Sequence, residues 1–69
     1  RFFPFITVNG DPMEWHKGRT VRGMLKKKNW TFPMIAVWIN DKPVHPDHFD
    51  MEEIPDGSIV QAIHMVAGG

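Results

Sequence analysis

A chain of 69 residues without a single cysteine has to hold itself together by apolar packing alone. Disulfides and zinc-thiolate staples, the usual reinforcement of domains this small, are closed to it, and so is a cysteine nucleophile. The material for a core is there: 42% of the residues are hydrophobic, with three Trp and five Phe. Global disorder is therefore not expected, and the length suits one domain. No uninterrupted apolar stretch approaches a membrane span, and no signal-peptide pattern opens the chain, so the expectation is a cytoplasmic protein that does not engage membranes.

Net charge is zero but the charges are segregated. Lys17, Arg19, Arg22, Lys26, Lys27 and Lys28 fall in the first half, and Asp47, Asp50, Glu52, Glu53 and Asp56 in the second. A nucleic-acid partner would call for a net basic domain with Arg or aromatic residues interleaved among the lysines. Neither is present, so the lysine run reads as the solvated end of a helix, where cations complement the macrodipole.

Turn chemistry divides the remainder into elements. Phe5-Ile6-Thr7-Val8 alternates and is β-prone, and Asn9-Gly10 after it is a strong hairpin signal because both residues tolerate positive φ. Met13-Glu14-Trp15 reads as the returning strand with Trp15 inward, and Pro12, which cannot donate to a ladder, belongs at that strand's start or on a sheet edge. Lys17-Gly18-Arg19 is a break. Thr20 is a good N-cap for a helix over Val21 to Lys28, ending by Asn29, whose Val21, Met24 and Leu25 form a short inward stripe. Gly23 within that helix costs roughly 1 kcal/mol against Ala, and a close approach of helix to sheet would account for it.

Trp30 to Pro33 should be a loop that drops aromatics over the edge of the core. Ile35-Ala36-Val37-Trp38-Ile39 is a strand closed by the turn Asn40-Asp41-Lys42-Pro43. Val44 starts a short element, His45 to Met51 is irregular with Phe49 as its core anchor, Asp56-Gly57 is a turn, and residues 59–66 form the last strand. Hairpin, helix, strand, short element, strand is the order of an α+β, ubiquitin-like β-grasp fold. Its sheet would be mixed and four- to five-stranded, with one main helix packed on one face. Residues 1–66 make this single domain, and 67–69 a flexible Ala-Gly-Gly tail.

Equipment for catalysis is sparse. His45-Pro46-Asp47-His48, with His16 or His64, could be half a metal site, and zinc would be the candidate. No helix holds both rings on one face, however, and loop histidines that simply face solvent are the commoner case, so no metal is expected. Ser58, the only serine, has no nucleophile-elbow motif around it, and Gly10, Gly18 and Gly23 do not have the spacing of a phosphate loop. The carboxylates sit in turns where solvation is expected. An enzyme in its own right is not expected.

What stands out instead is the end of the chain, where the last strand runs into Ala67-Gly68-Gly69. Glycine has no Cβ, so this tether can thread a channel that a larger residue would block. The arrangement suits a carboxylate that another enzyme must reach, although loose glycine-rich ends are also common.

Taken together, these pieces resemble the bacterial sulfur carriers of the thiamine-biosynthesis type, the ThiS-like β-grasp proteins. The resemblance is carried by Val8-Asn9-Gly10, by Gly18-x-Thr20-Val21 and by Ala36-Val37-x-Ile39-Asn40. Val44, Phe49, Asp56-Gly57 and the terminal Val66-Ala67-Gly68-Gly69 complete it, so that it spans nearly the whole chain. The chain departs from the family in His45-Pro46 after Val44, in the more basic helix and in Gly23.

The resemblance implies a carrier cycle. An E1-like adenylating enzyme uses ATP to convert the Gly69 carboxylate into an acyl-adenylate, while Gly68 provides access. Sulfur from a cysteine desulfurase or its relay then yields a C-terminal thiocarboxylate, which donates sulfur to a thiazole synthase. No cofactor stays bound to the carrier, because the ATP is consumed by its partner. Trp38 turns outward in this reading and, with Ile63 and Met65, makes a candidate docking patch; alternatively Trp38 covers the sheet edge or packs under the Trp30–Phe32 loop. Two rival functions remain: the small subunit of molybdopterin synthase, with the same tail chemistry and another acceptor, and a non-covalent ubiquitin-like interaction module.

Overall fold

Two-residue turns built on positive φ organise the sheet. In the computed structural model, which describes residues 3–66, strand β1 (Phe5–Val8) turns through Asn9 (φ 51°) and Gly10 (φ 86°) into β2 (Asp11–Glu14). Strand β3 (Ile35–Ile39) turns through Asn40 (φ 50°) and Asp41 (φ 68°) into β4 (Lys42–Val44). Positive φ at both central positions matches the right-handed twist of the flanking strands, and Asn, Asp and Gly tolerate it best. The returning strand β2 starts at Asp11 and stops before Trp15, so Pro12 lies inside it, on an edge as expected.

Helix α1 (Val21–Lys27) follows its local signals closely. The Thr20 hydroxyl accepts from the Gly23 N–H (3.1 Å), and Lys26 and Lys27 occupy the last turn. At the other end Asn29 takes φ 62° and donates its N–H to the Lys26 carbonyl (3.0 Å), while Trp30 donates to the Leu25 carbonyl (2.8 Å). These two bonds form a Schellman motif with asparagine in the left-handed position, and Trp30 packs against the core. Gly23 does not owe its place to the sheet. A Cβ there would meet only the Thr20 hydroxyl, at an unstrained 3.4 Å, so the propensity cost of that glycine is not offset by closer packing.

The last strand, β5 (Ile59–His64), is shorter than the run 59–66 and enters the middle of the sheet, giving the order β2-β1-β5-β3-β4. It is parallel to β1 and antiparallel to β3. Val21, Met24 and Leu25 of the helix meet Ile6, Val8, Ile35, Val37, Ile39, Val60 and Ala62 from one face of the sheet. Phe49, after a 3₁₀ turn at Pro46–His48, and Ile54 complete this core.

The segment around Ile54 is tied to the start of the helix: Val21 donates to the Glu52 carbonyl (2.9 Å) and Ile54 to the Arg19 carbonyl (2.9 Å). The Trp15 indole N–H reaches the Ile54 carbonyl (2.6 Å), which explains how a ring at the end of an edge strand turns inward with its polar atom satisfied. Arg22 pairs with Asp50 (2.9 Å) and lies over the Phe49 ring, but both charged groups remain solvated and the ion pair contributes little. Among the described residues no helix is long and apolar enough to cross a membrane.

Candidate functional site

The chain reaches its carboxyl-terminal arm through β5, and β5 is held by side chains as well as by neighbouring strands. Asn40 grips its start: the backbone N–H of Asn40 donates to the Ile59 carbonyl (2.8 Å), and Asn40 Oδ1 accepts from the Ile59 N–H (2.9 Å). Asn9 grips its middle from the β1 side. There Asn9 Oδ1 accepts from the Ala62 N–H (2.8 Å), and Nδ2 donates to the Ala62 carbonyl (3.0 Å). The Asn9 amide thus replaces the peptide that β1 would have supplied had it not turned away after Val8.

Beyond β5, the Met65 N–H donates to the Met34 carbonyl (2.7 Å), carrying the β3–β5 ladder one step further. Ala67, Gly68 and Gly69 lie outside the described residues.

Register places the three residues of the candidate patch on one face. Trp38 pairs with Gln61 and Ala36 with Ile63, opposite the face that carries Val37, Ile39, Val60 and Ala62. The Met34–Met65 contact puts those two side chains next in the same row. Ile63 and Met65 are each 51% exposed and Met34 is 54% exposed, so the side of the sheet away from the helix carries an open apolar strip.

Trp38 faces outward as anticipated but is half-buried rather than exposed, standing between Gln61 and Pro43. It does not shelter under the loop aromatics in the way the alternative reading supposed: Trp30 joins the core beneath the Lys28 ammonium (5.5 Å), and Phe32 stacks on the His64 imidazole (4.2 Å between centroids, 15°). Met34 and Ile59 (61% exposed) belong to the strip too. Sequence reasoning left both out of the patch, although the alternation of the last strand already places Ile59 on the face of Ile63 and Met65.

Two polar side chains close turns. Ser58, buried at 2% exposure, gives its hydroxyl proton to the Pro55 carbonyl (2.7 Å) and closes the turn before β5. His45 Nδ1 accepts from the Asp47 N–H (3.1 Å), capping the 3₁₀ turn. Among the described residues no three His, Cys, Asp or Glu side chains stand together so as to hold a metal ion.

A five-stranded mixed sheet, with its first and last strands parallel at the centre and one helix across a single face, is the ubiquitin-like β-grasp fold. Among solved structures the chain is similar to the crystal structure of the thiamine biosynthesis protein ThiS from Geobacter metallireducens. The two share 24% sequence identity with a TM-score of 0.74, over 94% of this chain and 99% of that one. At that identity the likeness establishes a common fold. No protein-family model matches the chain, and neither does any curated protein.

Proposed function

We propose that this protein is a sulfur carrier of thiazole (thiamine) synthesis whose working group is the carboxylate of Gly69. The observation that carries the reading is the end-to-end likeness in fold to a thiamine biosynthesis protein, joined to Gly68-Gly69, which follow the central strand after Met65-Val66-Ala67. The same likeness favours a thiazole acceptor over a molybdopterin one.

In this function the chain is a co-substrate. A carboxylate is a poor electrophile until one of its oxygens becomes a good leaving group, and a partner has to arrange that. The Gly69 carboxylate attacks the α-phosphorus of ATP on an adenylating enzyme, pyrophosphate leaves, and an acyl-adenylate forms. A persulfide from the sulfur relay adds to the carbonyl and expels AMP, giving an acyl disulfide. A thiol of the relay then attacks the relay's own cysteine sulfur in that S–S bond, forming a disulfide within the relay and releasing the thiocarboxylate, which keeps the persulfide's terminal sulfur, for the thiazole synthase. Gly68 and Gly69 present no side chain to the walls of the partner's channel, so the carbonyl reaches an attack geometry.

Mass spectrometry of protein purified from its own host tests this directly. An oxygen-to-sulfur exchange localised to Gly69 is expected. Its persistent absence, even after incubation with the cognate activating enzyme, ATP and a sulfur donor, would overturn the proposal.

In the same reading the strip of Trp38, Ile63 and Met65 docks the partner. A half-buried indole flanked by exposed Ile and Met can be the aromatic anchor that dominates such a contact. Trp38→Ala should weaken partner binding by about 30-fold, equivalent to roughly 2 kcal/mol, with the fold intact because Trp38 is outside the buried core. Titration by calorimetry reads the effect, and undiminished affinity in a folded variant sinks the patch.

A further inference from the structure

Strands β2 and β4 are the two edges of the sheet, and each carries a proline: Pro12 opposite Thr7 and Pro43 opposite Trp38. The phase of the ladders fixes where each proline nitrogen points. The Thr7 N–H donates to the Ser58 carbonyl on the β5 side (3.1 Å), so Thr7 turns its polar groups away from β2. Pro12, facing it in a non-hydrogen-bonded pair, therefore presents its own nitrogen to solvent.

In β3 the even-numbered positions face β5, as shown by the bonds from Met65 to the Met34 carbonyl (2.7 Å) and from Asn40 to the Ile59 carbonyl (2.8 Å). Trp38 shares that phase, so Pro43 also points its nitrogen outward. The two-residue turns give the same answer independently, because the residues flanking such a turn form the hydrogen-bonded pair.

Position 43 is the sole outward-facing residue of three-residue β4, and it has no N–H to offer. In β2 the outward positions are 12 and 14; the first has no donor and the second bears the Glu14 carboxylate. Neither proline costs the fold a ladder hydrogen bond. Each removes the donor that an incoming strand would need, and its ring stands in the path of that strand's carbonyl.

We infer that Pro12 and Pro43 close both free edges of the sheet against strand addition by a second copy of this chain. The molecule is thereby kept a monomer in spite of the apolar strip on its open face. Strand addition by other proteins is disfavoured at the same two edges, since it depends on main-chain hydrogen bonds.

The test restores the donors. A Pro12→Thr, Pro43→Thr variant places a strand-forming residue with an N–H at each edge, and sedimentation velocity over a concentration series reads self-association. The parent should remain monomeric, and the variant should associate about tenfold more tightly for each edge reopened. A chemically synthesised chain with N-methylalanine at positions 12 and 43, lacking both the donor and the ring, should stay monomeric. A variant that keeps its near-ultraviolet tryptophan signal and sediments as a monomer at all concentrations overturns the inference, as does a parent that already dimerises. Should the double variant lose its tertiary signal, Pro43→Thr alone carries the same comparison.

Discussion

One residue added after Gly69 is expected to abolish adenylation by the cognate activating enzyme while leaving fold and partner affinity unchanged. The chain advances by at most about 3.3–3.6 Å per residue, so a single extension displaces the reacting carboxylate by that much or buckles the arm. Misplacement by about 1 Å costs on the order of 100-fold in rate when a reaction depends on a near-attack arrangement, so the loss here should exceed that. The apolar strip and the core lie within residues 3–66 and do not sense the extension.

Pyrophosphate release measures the chemistry, and calorimetric titration measures the docking. Loss of the first with retention of the second is the carrier's signature. Adenylation at the parental rate would remove Gly69 from its role. A non-covalent interaction module would bind its partner equally well with or without the added residue.

The second large effect concerns Asn9. Asn9→Ala should destabilise the domain by about 2–3 kcal/mol. The substitution strips the Ala62 N–H and carbonyl of their side-chain partners, and each unsatisfied group costs about 1–3 kcal/mol when cut off from water. The lower end applies here because Asn9 itself is exposed and solvent can partly replace it. Alanine is also poorly suited to φ 51°, which adds about 1 kcal/mol.

Domains of this size have only about 3–10 kcal/mol of stability in total, so the variant should unfold at a markedly lower urea concentration. Asn9→Gly separates the two contributions, since it keeps the turn and loses the amide. Urea midpoints followed by tryptophan fluorescence decide the matter. A midpoint within error of the parent for Asn9→Ala would show that the amide clamp on β5 is not needed.

Asn9 also marks the boundary between what can be read along a chain and what cannot. Asn9-Gly10 and Asn40-Asp41 are recognisable as turns because positive φ is a property of the residue itself. The capping Thr20, the stripe of Val21, Met24 and Leu25, and the stop at Asn29 are equally local, and the structure has all three. What the Asn9 side chain does with Ala62, 53 positions away, has no local signature. The burial of Ile54 and Ser58 is invisible for the same reason: Ile54 is bonded back to the start of the helix, and Ser58 sits where the chain meets Thr7 of β1. Gly23 shows the opposite failure, where a residue that invites a packing explanation meets only its own helix cap.

The amino-acid sequence by itself determined the element types, the turn positions, the helix limits and the β-grasp order. These rest on backbone preferences and on hydrophobic periods of 2 and 3.6, which act over a few residues. Tertiary structure alone decided which strands became edges, which way the prolines of those edges point, and which residues of β3 and β5 stand beside one another on the open face. Those depend on register between strands far apart in the chain, and a slip of one residue would have sent every one of those side chains to the opposite face.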